Sequence, residues 1–219
     1  MLASDAPEGL KAEKATRNAD RTRAQILEAA TQEFAELGIA GARIERIAER
    51  AGTNKRMVYY YFNSKDDLFV AVMENTYASI RSAERKLHLE SQSPVDAIRT
   101  LVSFTWNYYL EHPEFIGLLN TENAHHGVHV KNSVQFQSLN MPLIETLGEV
   151  IRQGQKEKIF RSGVDPVQLY ISIASLSYFY LSNKHTLGHI FSRDLTSAKA
   201  KVERLHHVLD VVLGYLVVN

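Results

Sequence analysis

Apolar residues recur along the chain at steps of three and four from Arg17 onward, the spacing of amphipathic helices. No stretch alternates apolar and polar residues over the length of a strand, and no short-period repeat is present. The pattern predicts helices over 19–37, 43–50, 54–61, 64–88, 94–111, 113–124, 128–156, 165–183 and 196–217. Residues 1–16 mix acids, lysines, Pro7 and Gly9 with no apolar face to bury; they are read as a disordered tail, with no signal-peptide stretch.

Three helix starts carry side-chain signals. Ser64 stands three residues before Asp67, Ser93 three before Asp96, and Asp165 three before Gln168. Each puts an oxygen where the free N–H groups of a first turn need an acceptor. Pro94 and Pro166 occupy first helical positions, where no N–H is required.

The last two predicted helices have wide apolar surfaces. The segment from Pro166 is apolar nearly all round, with Ala174, Ser175 and Ser177 interspersed. In the final one, Val202, Leu205, Leu209, Val212 and Leu216 form one stripe, and Val208, Val211 and Tyr215 an adjacent one. Such a face suits a helix with two partners. The pair is read as half of a four-helix bundle completed by a second copy, with Leu176, Phe179, Leu205, Val208, Leu209, Val212 and Leu216 as candidate interface residues. The alternative is a pair of internal core helices.

Residues 26–69 hold the strongest functional signal. Ile26, Ala30, Phe34 and Leu37 line a helix ending at Gly38. A short helix with Ile44, Ile47 and Ala48 inward follows, then the turn Ala51-Gly52-Thr53, then a helix bearing Asn54 to Tyr61. Two short helices across a glycine-containing turn form a helix-turn-helix, whose second member enters the major groove by its leading end. Here that end is Asn54, Lys55 and Arg56, side chains that reach base edges or phosphates. Val58 and Phe62 suit the inward face, leaving Met57, Tyr59, Tyr60 and Tyr61 around it. A tyrosine hydroxyl donates to phosphate, and its ring meets a thymine methyl. Lys65 opens the next helix, a favourable place for an anion.

The run Ile26…Ala29-Ala30…Phe34…Gly38…Ile47-Ala48-Glu49-Arg50-Ala51-Gly52…Lys55…Tyr59…Phe62…Ser64-Lys65-Asp66…Leu68-Phe69 resembles the DNA-binding domain of the TetR (AcrR-type) repressors. The resemblance implies a homodimer on a palindromic operator and an all-helical C-terminal ligand domain. It further implies that Tyr59, Tyr61 and Lys65 contact phosphate while Lys55, Arg56 and Tyr60 read bases. The chain departs from the family at Ala42-Arg43, where a hydroxyl is usual and Arg43 would supply a charged contact instead. It departs again at Arg56 and Met57, where a small residue and a hydroxyl are common. The organisation expected is a tail (1–16), a helix-turn-helix domain (17–63) and a helical ligand-sensing and dimerisation domain (64–219) with 64–88 as linking helix.

The C-terminal part offers an aromatic-rich stretch around Trp106 and Tyr109 and the segment Glu122-Asn123-Ala124-His125-His126-Gly127-Val128-His129. On a continuous helix Glu122, His126 and His129 would share a face, a possible metal set. Gly127 interrupts that helix, so a solvent-facing helix end and a pocket wall for an organic effector both stand as readings. Trp106, Tyr109, Glu122, Asn123, His126, Phe136 and Tyr178 are the candidate ligand residues.

Composition narrows the alternatives. Lys and Arg number 25 and so do Asp and Glu, so any field for DNA is local. Arg17, Arg21, Arg23, Lys55, Arg56 and Lys65 supply it. Cysteine is absent, which removes disulfides and thiolate chemistry and fits the cytoplasm. The uncharged stretch Leu169–Asn183 is too short to span a bilayer. A helical-bundle metal enzyme would need paired Glu-x-x-His motifs, and only the Glu122 region approaches one. A protein-only helical adaptor is the remaining class. No catalytic residue, metal or cofactor is expected; the partners are duplex DNA, an unidentified small molecule and a second copy of the chain.

Overall fold

The computed structural model describes residues 8–131, 133 and 135–218. Among them the chain is helical: α1 (Glu8–Gly41), α2 (Ile44–Arg50), α3 (Lys55–Phe62), α4 (Lys65–Arg85), a 3-10 turn (Leu89–Ser91), α5 (Pro94–Glu111), α6 (Pro113–Ala124), α7 (Val128–Lys131), α8 (Gln135–Lys156), α9 (Pro166–Ser182), α10 (Lys184–Phe191) and α11 (Ala198–Leu216). The described residues contain one isolated antiparallel bridge, Phe160 to Val217, and no strand.

The three sequence-read caps form. Ser64 Oγ accepts from Asp67 N at 3.0 Å, Ser93 Oγ from Asp96 N at 3.3 Å, and Asp165 Oδ1 from Gln168 N at 2.9 Å. Ser197 caps α11 in the same way.

Three elements differ from expectation. Helix α1 starts at Glu8, within the stretch read as tail, because its alanines, lysines and glutamates are strong helix formers; residues 1–7 lie outside the described residues. It is kinked at Gly38, whose φ of 65° breaks the helix where its end was expected. The helix expected over 128–156 is divided into α7 and α8. Gly127 lies at φ 71°, and Ser133 Oγ accepts from Gln135 N to open α8 afresh. Helix α10 fills a stretch read as connection.

The chain forms two compact units: the described residues of Met1–Met73 and Gly117–Asn132, and those of Glu74–Ile116 and Ser133–Asn219. Thus α4 and α6 each contribute to both, and residues 117–131 pack with the N-terminal helices rather than with the rest of the expected sensing domain. In the first unit, Ile26, Phe34, Ile47, Val58, Phe62, Leu68, Phe69 and Leu118 are buried. The rings of Phe34 and Phe69 meet edge to face at 5.2 Å. Gly117 lets α6 lie against α1: a methyl there would stand 2.6 Å from the Ala35 carbonyl oxygen.

In the second unit α5 is the central helix, packed against α8, α9 and α11. Ile98, Leu101, Val102, Leu147, Ile173, Val208, Val212 and Leu216 form its core. Val208, Val212 and Leu216 are therefore buried in their own chain and unavailable to a partner, a correction to the interface expected for them. A helix with two apolar stripes must turn one inward, and on α11 these three do so. Leu176, Leu205 and Leu209 are half-buried, and Phe179 is 58% exposed.

Candidate nucleic-acid interface

Helices α2 and α3 are joined by Ala51-Gly52-Thr53. Gly52 sits at φ 64°, and Thr53 N donates to Ala48 O at 2.9 Å, closing the end of α2. Asn54 opens α3 as its N-cap, accepting from Met57 N at 3.1 Å. Its side-chain oxygen is thus engaged with its own helix, and the amide NH2 is the part left to donate.

Only Val58 and Phe62 of α3 are buried. Lys55, Arg56 and Tyr59 are exposed, Tyr60 is 75% exposed, and Met57 and Tyr61 are half-buried. The segment projects outward from its own unit, as a groove-entering helix requires. Lys55 Nζ meets Glu45 Oε1 of α2 at 2.6 Å and lies 5.9 Å from the Tyr59 ring centroid. That hydrogen bond holds the Lys55 ammonium above its ordinary range and the Glu45 carboxyl below its own. The rings of Tyr60 and Tyr61 are edge to face at 5.2 Å. Lys65 begins the long helix α4. Arg43 precedes α2 with an exposed side chain that makes no capping bond.

The α2–α3 pair is held to α1 by a residue that the sequence reading did not single out. Glu33 is 1% exposed. Its Oε1 accepts from Arg46 Nε at 2.7 Å and from the backbone N of Arg43 at 3.1 Å, and its Oε2 lies 3.8 Å from Arg50. The signal was present: Glu33 falls on the Ile26–Ala30 stripe, and Arg43, Arg46 and Arg50 recur at helical spacing opposite it.

Residues 26–72 match the family described as bacterial regulatory proteins, tetR family, and residues 94–212 match the tetracyclin repressor-like C-terminal domain. The chain belongs to the TetR family of transcriptional regulators. This TetR-family chain is 44% identical over 195 residues to the HTH-type transcriptional repressor NicS of Pseudomonas putida, covering 89% of this chain and 92% of that protein. It is 39% identical over 115 residues to the repressor SCO4008 of Streptomyces coelicolor, 52% of this chain and 55% of that one. Its fold is similar to that of the fatty acid degradation regulator FadR from Bacillus halodurans. The TM-score is 0.68 at 18% identity, over 87% of this chain and 94% of that one.

The candidate ligand residues of this TetR-family regulator divide between the two units. Glu122, Asn123 and His126 fall in the first. Glu122 is buried and committed locally: its carboxylate accepts from His129 N and Val130 N, both at 2.9 Å, and faces His129 Nδ1 at 2.7 Å. It caps α7, while the His129 ring packs on Phe69 at 4.8 Å. Asn123 is exposed and donates to Leu119 O, and His126 is exposed at φ 58°. No group of three metal-ligating side chains occurs among the described residues.

Trp106, Tyr109, Phe136 and Tyr178 fall in the second unit. Trp106 is buried edge-on to Tyr180, Tyr109 stacks on Phe115, and Phe136 meets Tyr77. Tyr178 is half-buried. Among the described residues no helix is long and apolar enough to cross a membrane.

Proposed function

We propose that this protein represses transcription as a homodimer on a palindromic operator and leaves it when a small molecule occupies the second unit. The outward face of α3 carries the reading: Lys55, Arg56 and Tyr60 stand over a buried Val58 and Phe62, at the end that enters a major groove. Lys55 and Arg56 reach base edges with Tyr60 beside them. Tyr59, Tyr61, Lys65 and Arg43 hold phosphates, and the amide of Asn54 adds a donor. The similarity to NicS, a repressor, supports repression as the outcome.

The homodimer rests on apolar side chains left uncovered. Val167, Ile171 and Phe179 of α9 and Val202, Val211 and Tyr215 of α11 are all exposed, on two helices that pack together. A second copy covers them, with Leu176, Leu205 and Leu209 at the margin. Residues 17–63 bind DNA, residues 64–219 sense and dimerise, and α4 links the two functions. A shift along α4 would change the separation of the two recognition helices, which must fit half-sites about 34–36 Å apart.

The test is an electrophoretic mobility shift with the promoter fragment of the protein's own gene. Retardation that falls steeply as salt rises, with a dimer-sized complex, is expected. Absence of retardation at low salt removes the DNA-binding reading; a complex that no small molecule dissociates removes sensing alone.

A further inference from the structure

The second unit contains a buried charged cluster apart from the α3 face. Arg81 of α4 is 3% exposed and Glu84, one turn on, is 4% exposed. The Arg81 guanidinium donates through Nη1 to Glu84 Oε2, through Nη2 to Tyr170 Oη of α9 at 2.6 Å, and through Nε to Asn140 Oδ1 of α8 at 2.8 Å. These bonds occupy three of its five N–H groups, and the Glu84 carboxylate has room for further donors. Arg81 and Glu84 also form part of the wall of a cavity of about 380 Å³, a volume in the range of small-molecule sites. Leu89, Leu139, Pro142 and Leu143 give the rest of the wall an aliphatic half, and Arg85, His88, Glu90 and Thr146 a polar one.

A buried ion pair is poor cement, since apolar residues of the same volume commonly hold a fold equally well or better. Its position at a cavity wall gives it another use. Side by side, the pair presents a donor edge and an acceptor edge. The formal charges around the cavity cancel: Arg81 and Arg85 against Glu84 and Glu90, with His88 near Glu90 at 3.6 Å. A charged ligand would leave one charge unmatched in this balanced, partly aliphatic cavity. Resting on the sensing reading, we propose that this cavity is the effector site and that it takes a small uncharged ligand with an apolar body and an amide- or lactam-like edge. The ligand carbonyl accepts from Arg81 and its N–H donates to Glu84.

The test uses full-length protein and three probes of one size: benzamide, benzoate and benzylammonium. Calorimetry should give benzamide at least about tenfold tighter binding than either ion, a difference of about 1.4 kcal/mol. The double variant Arg81→Met/Glu84→Leu, which removes both charges together, should stay folded and lose benzamide binding at least tenfold. Glu84→Gln, which leaves the cation uncompensated, should reverse the order in favour of benzoate. Tighter binding of either ion to the wild type, undiminished benzamide binding in the double variant, or no binding of benzamide at about 10 mM, well above fragment affinities, overturns the assignment. Operator affinity measured with and without benzamide separates the two readings. Benzamide occupancy without release leaves a binding site but defeats its effector role. Release by another compound that the double variant retains defeats the site and leaves sensing.

Discussion

At Glu33 an acid occupies a position that helical spacing assigns to the core, and its partners show why it is tolerated. Arg46 and the Arg43 amide satisfy one oxygen, while Arg50 lies near the other. Breaking a fully buried pair costs about 3–5 kcal/mol. Arg46 is 46% exposed, so the loss here is smaller: Glu33→Ala should lower unfolding free energy by about 1–3 kcal/mol, read from the urea midpoint. Operator affinity should fall with it, because the same carboxylate fixes the start of α2. On the DNA face, Lys65→Ala should weaken binding to every sequence and flatten the salt dependence, whereas Arg56→Ala should also alter base preference at one position per half-site. Equal losses for Arg56→Ala across all operator variants would remove its base-reading role. The exposed positions of α3 were legible because only Val58 and Phe62 fit the inward period. The commitment of Glu122 to α7 was not, because it depends on a fold-back at Gly127 that brings His129 and Val130 to the carboxylate.

Among elements, those that announce themselves locally were readable. Ser64, Ser93 and Asp165 each bond the N–H that their spacing promised, and the turn at Gly52 lies where glycine permits it. The division between α7 and α8 was hidden by continuous apolar periodicity, and α10 by a short sequence with little periodicity of its own. The inward stripe of α11 could not be distinguished from the outward one, since both are apolar; only the position of α5 decides that Val208, Val212 and Leu216 face in. The approach of α6 to α1 was equally invisible, resting on one missing methyl. Gly117→Ala places a carbon 2.6 Å from the Ala35 carbonyl and should cost about 1–3 kcal/mol, visible as a lower Tm. An unchanged Tm would mean that the two helices part there without penalty.

For the molecule as a whole, burial sets the response to alkali. Burial pushes the Tyr108 hydroxyl up to about 12, helped by Glu114 and Glu84, and raises Tyr109, Tyr170 and Tyr180 as well. These groups ionise less readily in the folded chain than in the unfolded one. The stability they lend is therefore complete below pH 10 and is lost as pH rises through about 12. The urea midpoint should fall across that window, and a flat profile would contradict the burial of these rings. The balance of 25 basic and 25 acidic residues has its own effect, because no global field draws the protein to DNA indiscriminately. The contact between Lys55 and Glu45 brings that balance down to one side chain of the proposed DNA face. Before any duplex arrives, Lys55 already rests on a carboxylate, so if Lys55 reads bases as proposed, Glu45 serves as a decoy anion. DNA whose edges match α3 should displace it more readily than a chance encounter does. Removing the decoy with Glu45→Gln should raise affinity for random duplex more than for the operator, making the regulator stickier and less discriminating.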